Sequence, residues 1–440
     1  MSEQLSWLAG RIVTRDTPRY DEVCGGWNSR VRHRPEVAVT PGDAADIQAA
    51  VRFAAELNLP VRVQCTGHGA LAPAEGGLLI DTGGLSGIRV DPVARTAEVG
   101  AGVRWRELLD AAHPHGLAGL SGSSGNVGVV GYTLGGGSGW LARKHGLASE
   151  TVLAAEVVTA NGRLRWVDAD REPELWWALR GGGPNVGVVT KLRLRLVEVP
   201  SVFAGATFWP VEQAGELYAA YREWTAGLPV EVTSALTFLQ YPDAPAVPEP
   251  VRGRTVVALR GAGLGPSAQE LLAPLRSRPG ALLDTWREMA YREIDAVTND
   301  PVRPQPRTGH STAVTALPDG LPDLARPGAK FTSLECRHVA GEGARLGASG
   351  AEFLVFTMAL TPDETGVAEA GEFGRRLTEL CAPVTTGHNL LSYLLAPPEP
   401  GGLPEQVAAA FPAEHRARLA AVKAHYDPAG LFGGDRKLVG

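Results

Sequence analysis

Lysine is scarce in this 440-residue chain: 5 of its 42 basic residues are lysine and the other 37 are arginine. Beside 54 glycines, 33 prolines and plentiful alanine, that imbalance reads as codon usage and not as chemistry. With 48 acidic residues the net charge is -6, and no long basic tract is present to neutralise a phosphate backbone, so nucleic acid is not an expected partner. Cysteine is sparse too. Cys24, Cys65, Cys336 and Cys381 are scattered without a Cys-x-x-Cys pair, which argues against a disulfide framework or a zinc site and for buried thiols. His113-Pro-His115 places two imidazoles close together, yet at a helix-to-loop junction with no carboxylate or thiol beside them; a turn is the better reading and no metal is expected. No apolar stretch approaches the ~20 residues that span a bilayer. The opening MSEQLSWLAGRIVTRD has no charged segment followed by a long apolar one, so a cytoplasmic protein without a membrane partner is expected.

What is present is ordinary for a globular chain: 44% hydrophobic and 20% charged residues, in a length that allows two or three domains at ~100–200 residues each. Glu36 to Thr40 is a short β-branched run, Pro41-Gly-Asp43 opens an amphipathic helical stretch through Leu57, and Pro60 to Gln64 reads as the next strand. This is a βαβ-sized unit. The glycine-bearing turn Cys65-Thr-Gly-His-Gly-Ala70 follows its second strand, where a ligand can approach the backbone. Further strands are expected at 78–81, 87–90, 96–99, 156–159, 164–167 and 188–197, with a helix from Trp105 to Ala112. Pro200 marks a boundary. Beyond it come longer alternations of strand and helix with Pro-rich joints at 242–250, 301–306 and 397–404. A helix from about Pro412 to His425 ends in Tyr426-Asp-Pro428 and Phe432, a piece too short to fold alone, so it should dock onto an earlier domain. The expected division is 1–200, 201–405 and 406–440.

The most informative segment is Gly122-Ser-Ser-Gly-Asn-Val-Gly-Val-Val-Gly-Tyr-Thr-Leu-Gly-Gly-Gly-Ser-Gly-Trp140, with eight glycines in nineteen residues. Amides freed of Cβ hindrance form anion-binding concavities, suited to a diphosphate or the polar edge of a flavin. Interleaved Val127, Val129, Val130 and Leu134 argue for a packed path and not a solvated linker. A nicotinamide dinucleotide is disfavoured, because no Gly-x-Gly-x-x-Gly follows the first strand with an acidic residue ~20 positions on; Gly100-Ala-Gly102 lacks the third glycine. A second cluster, Arg180-Gly-Gly-Gly-Pro-Asn-Val-Gly187, follows a helix bearing Trp176 and Trp177, and is expected against the same ligand.

Taken together, Thr66-Gly-His-Gly69, the Val127 to Gly139 run, Lys144-His-Gly-Leu147, the Arg180 to Gly187 cluster and Tyr426-Asp-Pro428 with Phe432 resemble the vanillyl-alcohol-oxidase (PCMH-type) flavoprotein superfamily. Within it they are similar to the berberine-bridge-enzyme-like branch, which includes bacterial nicotine oxidases and oxidases of antibiotic biosynthesis. The resemblance covers about residues 20–200 and 410–440. It implies an α+β fold, with a PCMH-type FAD-binding domain of two α/β subdomains and a substrate domain built on an antiparallel sheet flanked by helices. It also implies FAD, with the diphosphate on the amides of Cys65, Thr66, Gly67, His68, Gly69 and Ala70, further contacts from Gly128, Gly131, Gly135, Gly136, Gly139 and Val188, and an 8α bond to His68. Many relatives add a second bond from a cysteine. Ser124 stands at that place, so one covalent link is expected. Val127 falls where the family keeps a small residue that leaves oxygen a path to the flavin, which favours an oxidase. Glu150 replaces a common Asp, and the tail after Phe432 lacks the family's Asn-rich ending, so no flavin contacts are carried onto it.

Hydride removal is easiest while an adjacent O–H or N–H is being deprotonated, so a base is needed. Leu334-Glu-Cys-Arg-His338 alternates like a strand, putting Glu335 and Arg337 on one face and Cys336 on the other. Glu335 is the leading base candidate if that face lines the pocket, although half-exposed strands alternate in the same way. Leu390 to Leu394 stands where relatives have a strand facing the flavin; Ser392, or else Asn389, replaces their Asn, and Tyr393 and His388 are further acid–base candidates. The expected activity is oxidation of a small natural-product-like molecule in secondary metabolism, with O2 as acceptor, by a monomer or homodimer. Oxidative cyclisation and flavin binding without turnover are the alternatives.

Overall fold

The computed structural model describes residues 11–437 apart from 327, 342–346 and 398–402. Most of the expected 397–404 joint and the first ten residues therefore lie outside the described residues.

A four-stranded sheet comes first, made of β1 (Ile12–Val13), β2 (Val37–Val39), β3 (Val61–Gln64) and β4 (Leu78–Asp81) in the order β1-β2-β4-β3, with β2 and β3 both parallel to β4. The Ala44–Glu56 helix makes the crossover from β2 to β3. It starts where it does because the Asp43 carboxylate accepts from the amides of Ala45 and Asp46, and Asp46 answers to the Asp43 amide, which satisfies donors that a helix start leaves open. Its Ile47, Ala50, Val51 and Ala54 are buried against Leu78 and Ile80. The carboxyl end of β3 releases the chain directly into Cys65–Ala70, the position where α/β sheets commonly hold ligands.

Strands β5 (Ile88–Asp91), β6 (Thr96–Gly100), β8 (Val152–Val158), β9 (Leu164–Asp168) and β10 (Val188–Arg195) form an antiparallel sheet ordered β5-β6-β10-β8-β9, while β7 (Leu117–Ala118) pairs with β11 (Val197–Glu198). Immediately after Pro200 the chain enters an eight-stranded antiparallel sheet: β12 (Ser201–Pro210), β13 (Val232–Gln240), β14 (Thr255–Gly263), β15 (Leu283–Asp284), β16 (Arg287–Ala290), β17 (Arg307–Val314), β18 (Ser333–His338) and β19 (Phe353–Leu360). The Ala214–Thr225, Ala268–Arg276 and Glu364–Cys381 helices pack on it, burying Leu217, Tyr221, Leu272, Phe373 and Leu377 with Leu236, Cys336 and Val355. Register then dictates the other face: Cys336 pairs with Leu236 and Val355, so neighbouring Glu335 pairs with Thr237 and Phe356 on the side away from those helices.

The Ala413–Tyr426 helix returns to the first half of the chain. Arg418 reaches Glu174 at 2.7 and 2.8 Å, and buried Lys423 donates to the Asn185 carbonyl, to Asp427 and to the Phe432 carbonyl. Asp427 of the Tyr-Asp-Pro motif also accepts from the amides of Leu431 and Phe432, so that motif works as a buried clasp.

One local expectation differs from the structure. Leu390 to Leu394 is not a strand; Leu391–Tyr393 forms a single 3-10 turn, because the Ser392 amide donates to the Gly135 carbonyl and the Ser392 hydroxyl accepts from the Gly137 amide. Within the glycine run, which the sequence reads as a packed path, Val129–Leu134 winds into a short helix. Among the described residues no helix is long and apolar enough to cross a membrane, and no group of three or more His, Cys, Asp and Glu could hold a metal.

Candidate active site

A cavity of ≈ 360 Å³ opens between the two smaller sheets, the eight-stranded sheet and the C-terminal segment. Its N-terminal wall is mainly backbone. Cys65, Thr66, Gly67, His68, Gly69 and Ala70 all line it, as do Ser124, Val127, Gly128, Gly131, Gly135 and Val188, and the second glycine cluster contributes Gly183 and Gly187. Gly136 and Gly139 are not part of this lining. They serve packing: a Cβ on Gly139 would stand 1.8 Å from the Ser121 carbonyl oxygen, and one on Gly136 would press Leu390. Gly131 is the reverse case, since a Cβ there meets nothing within 4 Å and would enter the cavity.

His68 sits in a tight aromatic setting. Its ring stacks on Trp27 at 4.7 Å, with the Arg307 guanidinium on the same indole at 4.5 Å. Its Nδ1 lies 2.9 Å from Thr66 Oγ1, and its Nε2 is buried with no hydrogen-bond partner. Burial, reinforced by Arg104 and Arg307, lowers its pKa to about 3, so the ring is neutral at any physiological pH. Cys65, beside Gly128, is pushed up to about 11 mainly by burial, and its thiol points to the Gly102 carbonyl; it is no nucleophile.

Side chains make the opposite wall. Glu335 does share a face with Arg337, but that face is buried, not solvated: the pair is 3% and 2% exposed, with Arg337 Nε 2.7 Å from Glu335 Oε1. Glu335 is spent on this ion pair and is not among the cavity-lining residues, so it does not fill the base position expected of it. Arg337 lines the cavity, donates to Ser123 Oγ at 3.0 Å and lies over the Trp140 ring at 4.2 Å. Tyr393 lines it as well, its hydroxyl donating to the Ser138 carbonyl at 3.2 Å and its pKa raised by burial. His388 is elsewhere, with Nδ1 against the Ala409 carbonyl at 3.2 Å. Of the two residues weighed for the Asn position, Ser392 reaches the cavity and Asn389 bonds to Ser311. Glu150 caps the Leu147 amide outside the cavity.

Sequence reasoning missed several lining residues: Trp27, Asp300, Arg307, Phe356, Met358 and the tail from Gly433 to Arg436. Asp300 and Asp435 are the acidic residues of the lining. Asp435 is engaged by Arg62 at 2.7 Å and by the Leu71 and Ala72 amides, whereas no hydrogen bond or ion pair holds the Asp300 carboxylate among the described residues. Burial raises the Asp300 pKa against the pull of Arg260 and Arg307. Asp300 immediately precedes a Pro-rich joint without periodicity, and nothing in its local pattern marks it. The tail carried a signal, since its docking was expected, but the absent asparagines led away from it.

A glycine-walled cavity at the end of a parallel strand, with an orphaned imidazole nitrogen inside, fits a flavin dinucleotide. The comparisons agree. Residues 35–168 match the family model described as an FAD binding domain. Over 97% of this chain and 95% of the relative's, the sequence is 28% identical to (R)-6-hydroxynicotine oxidase of Paenarthrobacter nicotinovorans. An uncharacterized FAD-linked oxidoreductase of Bacillus subtilis, YvdP, is 32% identical over 49% of this chain and 50% of its own. Among solved structures, 6-hydroxy-D-nicotine oxidase from Arthrobacter nicotinovorans superposes with a TM-score of 0.84 at 26% identity, covering 97% of each chain. The berberine-bridge-enzyme-like 1 protein of Physcomitrella patens, at 20% identity over 100% and 99%, shares the fold with a TM-score of 0.84. The fold and site define an FAD-linked oxidoreductase. In sequence and fold the chain is similar to the PCMH-type, berberine-bridge-enzyme-like FAD-linked oxidases.

Proposed function

We propose that this chain is an oxidase that takes a hydride from a small, natural-product-like organic molecule and passes the electrons to O2, with FAD tethered through His68. The observation that carries the reading is the buried, unpartnered Nε2 of His68 inside the glycine-lined cavity. Thr66 occupies Nδ1, which leaves Nε2 as the nitrogen available for an 8α bond, and the low pKa keeps it unprotonated and nucleophilic. Bound FAD supplies the hydride-accepting centre that O2 reoxidises. The residues of this chain do the rest. The amides of 65–70 and the glycines around 128–135 hold the cofactor, and Ser124 offers no sulfur for a second link. Phe356, Met358, Tyr393 and Arg337 shape the substrate side. Asp300, the lining carboxylate with no partner, takes the proton that leaves with the hydride. Similarity over nearly the whole length to a nicotine oxidase supports a nitrogen heterocycle as the substrate class.

The test is acid precipitation of purified protein with intact-mass analysis of wild type and His68→Ala. Yellow colour in the wild-type pellet, with one FAD of added mass that the variant lacks, is expected. Flavin released into the supernatant from wild type removes the tether, and failure to bind FAD at all removes the reading. Anaerobic addition of 6-hydroxynicotine and related cyclic amines should bleach the flavin, and air should restore it with formation of peroxide.

A further inference from the structure

The tail beyond Phe432 carries a charge arrangement that the tether does not need. Gly433 and Gly434, both at positive φ (+111° and +51°), turn the chain back under β3. Asp435 thereby reaches the Leu71 amide at 2.6 Å, the Ala72 amide at 3.2 Å and Arg62 at 2.7 Å. The next residue, Arg436, is directed into the cavity, where its Nη2 would be 3.1 Å from a Cβ placed on Gly69. Among the described residues its one hydrogen bond is a long one, 3.4 Å from Nη2 to the Leu391 carbonyl, and none of their carboxylates lies within ion-pair range of it. Of the two guanidinium groups here, Arg62 takes the Asp435 carboxylate, and the positive charge of Arg436 is left without an ion-pair partner among the described residues beside the 65–70 loop.

A cation removed from water without a counter-ion is costly, and the cost is met when an anion binds against it. Asp435 already occupies the Leu71 and Ala72 amides. The donors left at this end are the earlier amides of the loop, the buried and unpartnered Nε of Arg62, and the free edge of the Arg436 guanidinium, a planar fork matched to phosphate oxygens. We propose that Arg436 is the counter-charge for the diphosphate of bound FAD, a side-chain contact supplied by the C-terminal segment to a site otherwise built from backbone. This rests on the reading of the cavity as the FAD site. It also accounts for a glycine at position 69, since a side chain there would displace the guanidinium.

The experiment uses the full chain carrying His68→Ala, freed of flavin, and titrates it with FAD and separately with riboflavin, which lacks the diphosphate. Adding Arg436→Met should weaken FAD by about tenfold to a hundredfold, the worth of a charge-assisted hydrogen bond, and leave riboflavin unchanged. Arg436→Lys should recover part of the loss, and the salt dependence of FAD binding should flatten in the Met variant. Equal weakening of FAD and riboflavin would reveal a merely structural residue, and no weakening of FAD would overturn the proposal. If the His68→Ala parent binds neither flavin, the FAD reading itself fails, and it is distinguished from the Arg436 proposal by that parent measurement.

Discussion

The two walls of the cavity are made of different material. On the N-terminal side the chain offers main chain: glycines at 67, 69, 128, 131, 135, 183 and 187 bring amides and carbonyls up to the ligand. On the side of the eight-stranded sheet it offers side chains, with Arg337, Arg307, Asp300, Tyr393, Phe356 and Met358 facing inward. A backbone wall suits one fixed cofactor, because its geometry is set by φ and ψ and hardly depends on neighbouring side chains. A wall of side chains can be changed one residue at a time without refolding the strand beneath, which is how a common scaffold comes to serve different substrates.

The sharpest way to break the side-chain wall is Arg337→Met, which strands the Glu335 carboxylate in a dry site; about 3–5 kcal/mol of stability should be lost in urea unfolding. Replacing both partners, Arg337→Met with Glu335→Leu, should recover most of it, and failure to recover would mean the pair is not isolated. Asp300→Asn should act on chemistry alone, lowering the flavin reduction rate by roughly 10²–10⁴-fold while flavin content is kept. Because burial raises the Asp300 pKa, and the base must be ionised, wild-type kcat/KM should fall as pH drops through that raised value; the acid limb should vanish in the Asn variant. On the backbone wall the contrast is between two glycines. Gly139→Ala should cost about 1–3 kcal/mol, since its methyl meets the Ser121 carbonyl, whereas Gly131→Ala should leave stability intact or slightly raised, being inside a helix, and weaken FAD binding instead.

The same division explains what could be read from the sequence. The backbone wall was legible because glycine is conspicuous: the 65–70 turn, the 122–140 run and the 180–187 cluster all reach the cavity as expected, and the Trp105–Ala112 helix has the expected bounds. Glycine content alone could not separate a residue that admits ligand, Gly131, from one that admits a neighbouring carbonyl, Gly139. The side-chain wall was hidden, because its residues come from separate strands and a loop joined only by register. Glu335 and Arg337 were correctly placed on one face, yet their mutual ion pair, which removes Glu335 from the cavity, is a matter of burial that alternation does not report. Asp300 is visible only once the 298–307 segment is seen crossing to Ser123 and Trp27.

The tail that completes the backbone wall also sets an order of events during synthesis. Residues 433–436 form part of the cavity surface, and the Lys423–Asp427 clasp that holds them is formed by residues more than 230 positions after the Asn185 carbonyl it grips. A nascent chain can therefore fold its early sheets on the ribosome while the flavin pocket still lacks a side. Cofactor capture has to wait until residue 436 is in place, so FAD enters a scaffold whose early sheets are already built.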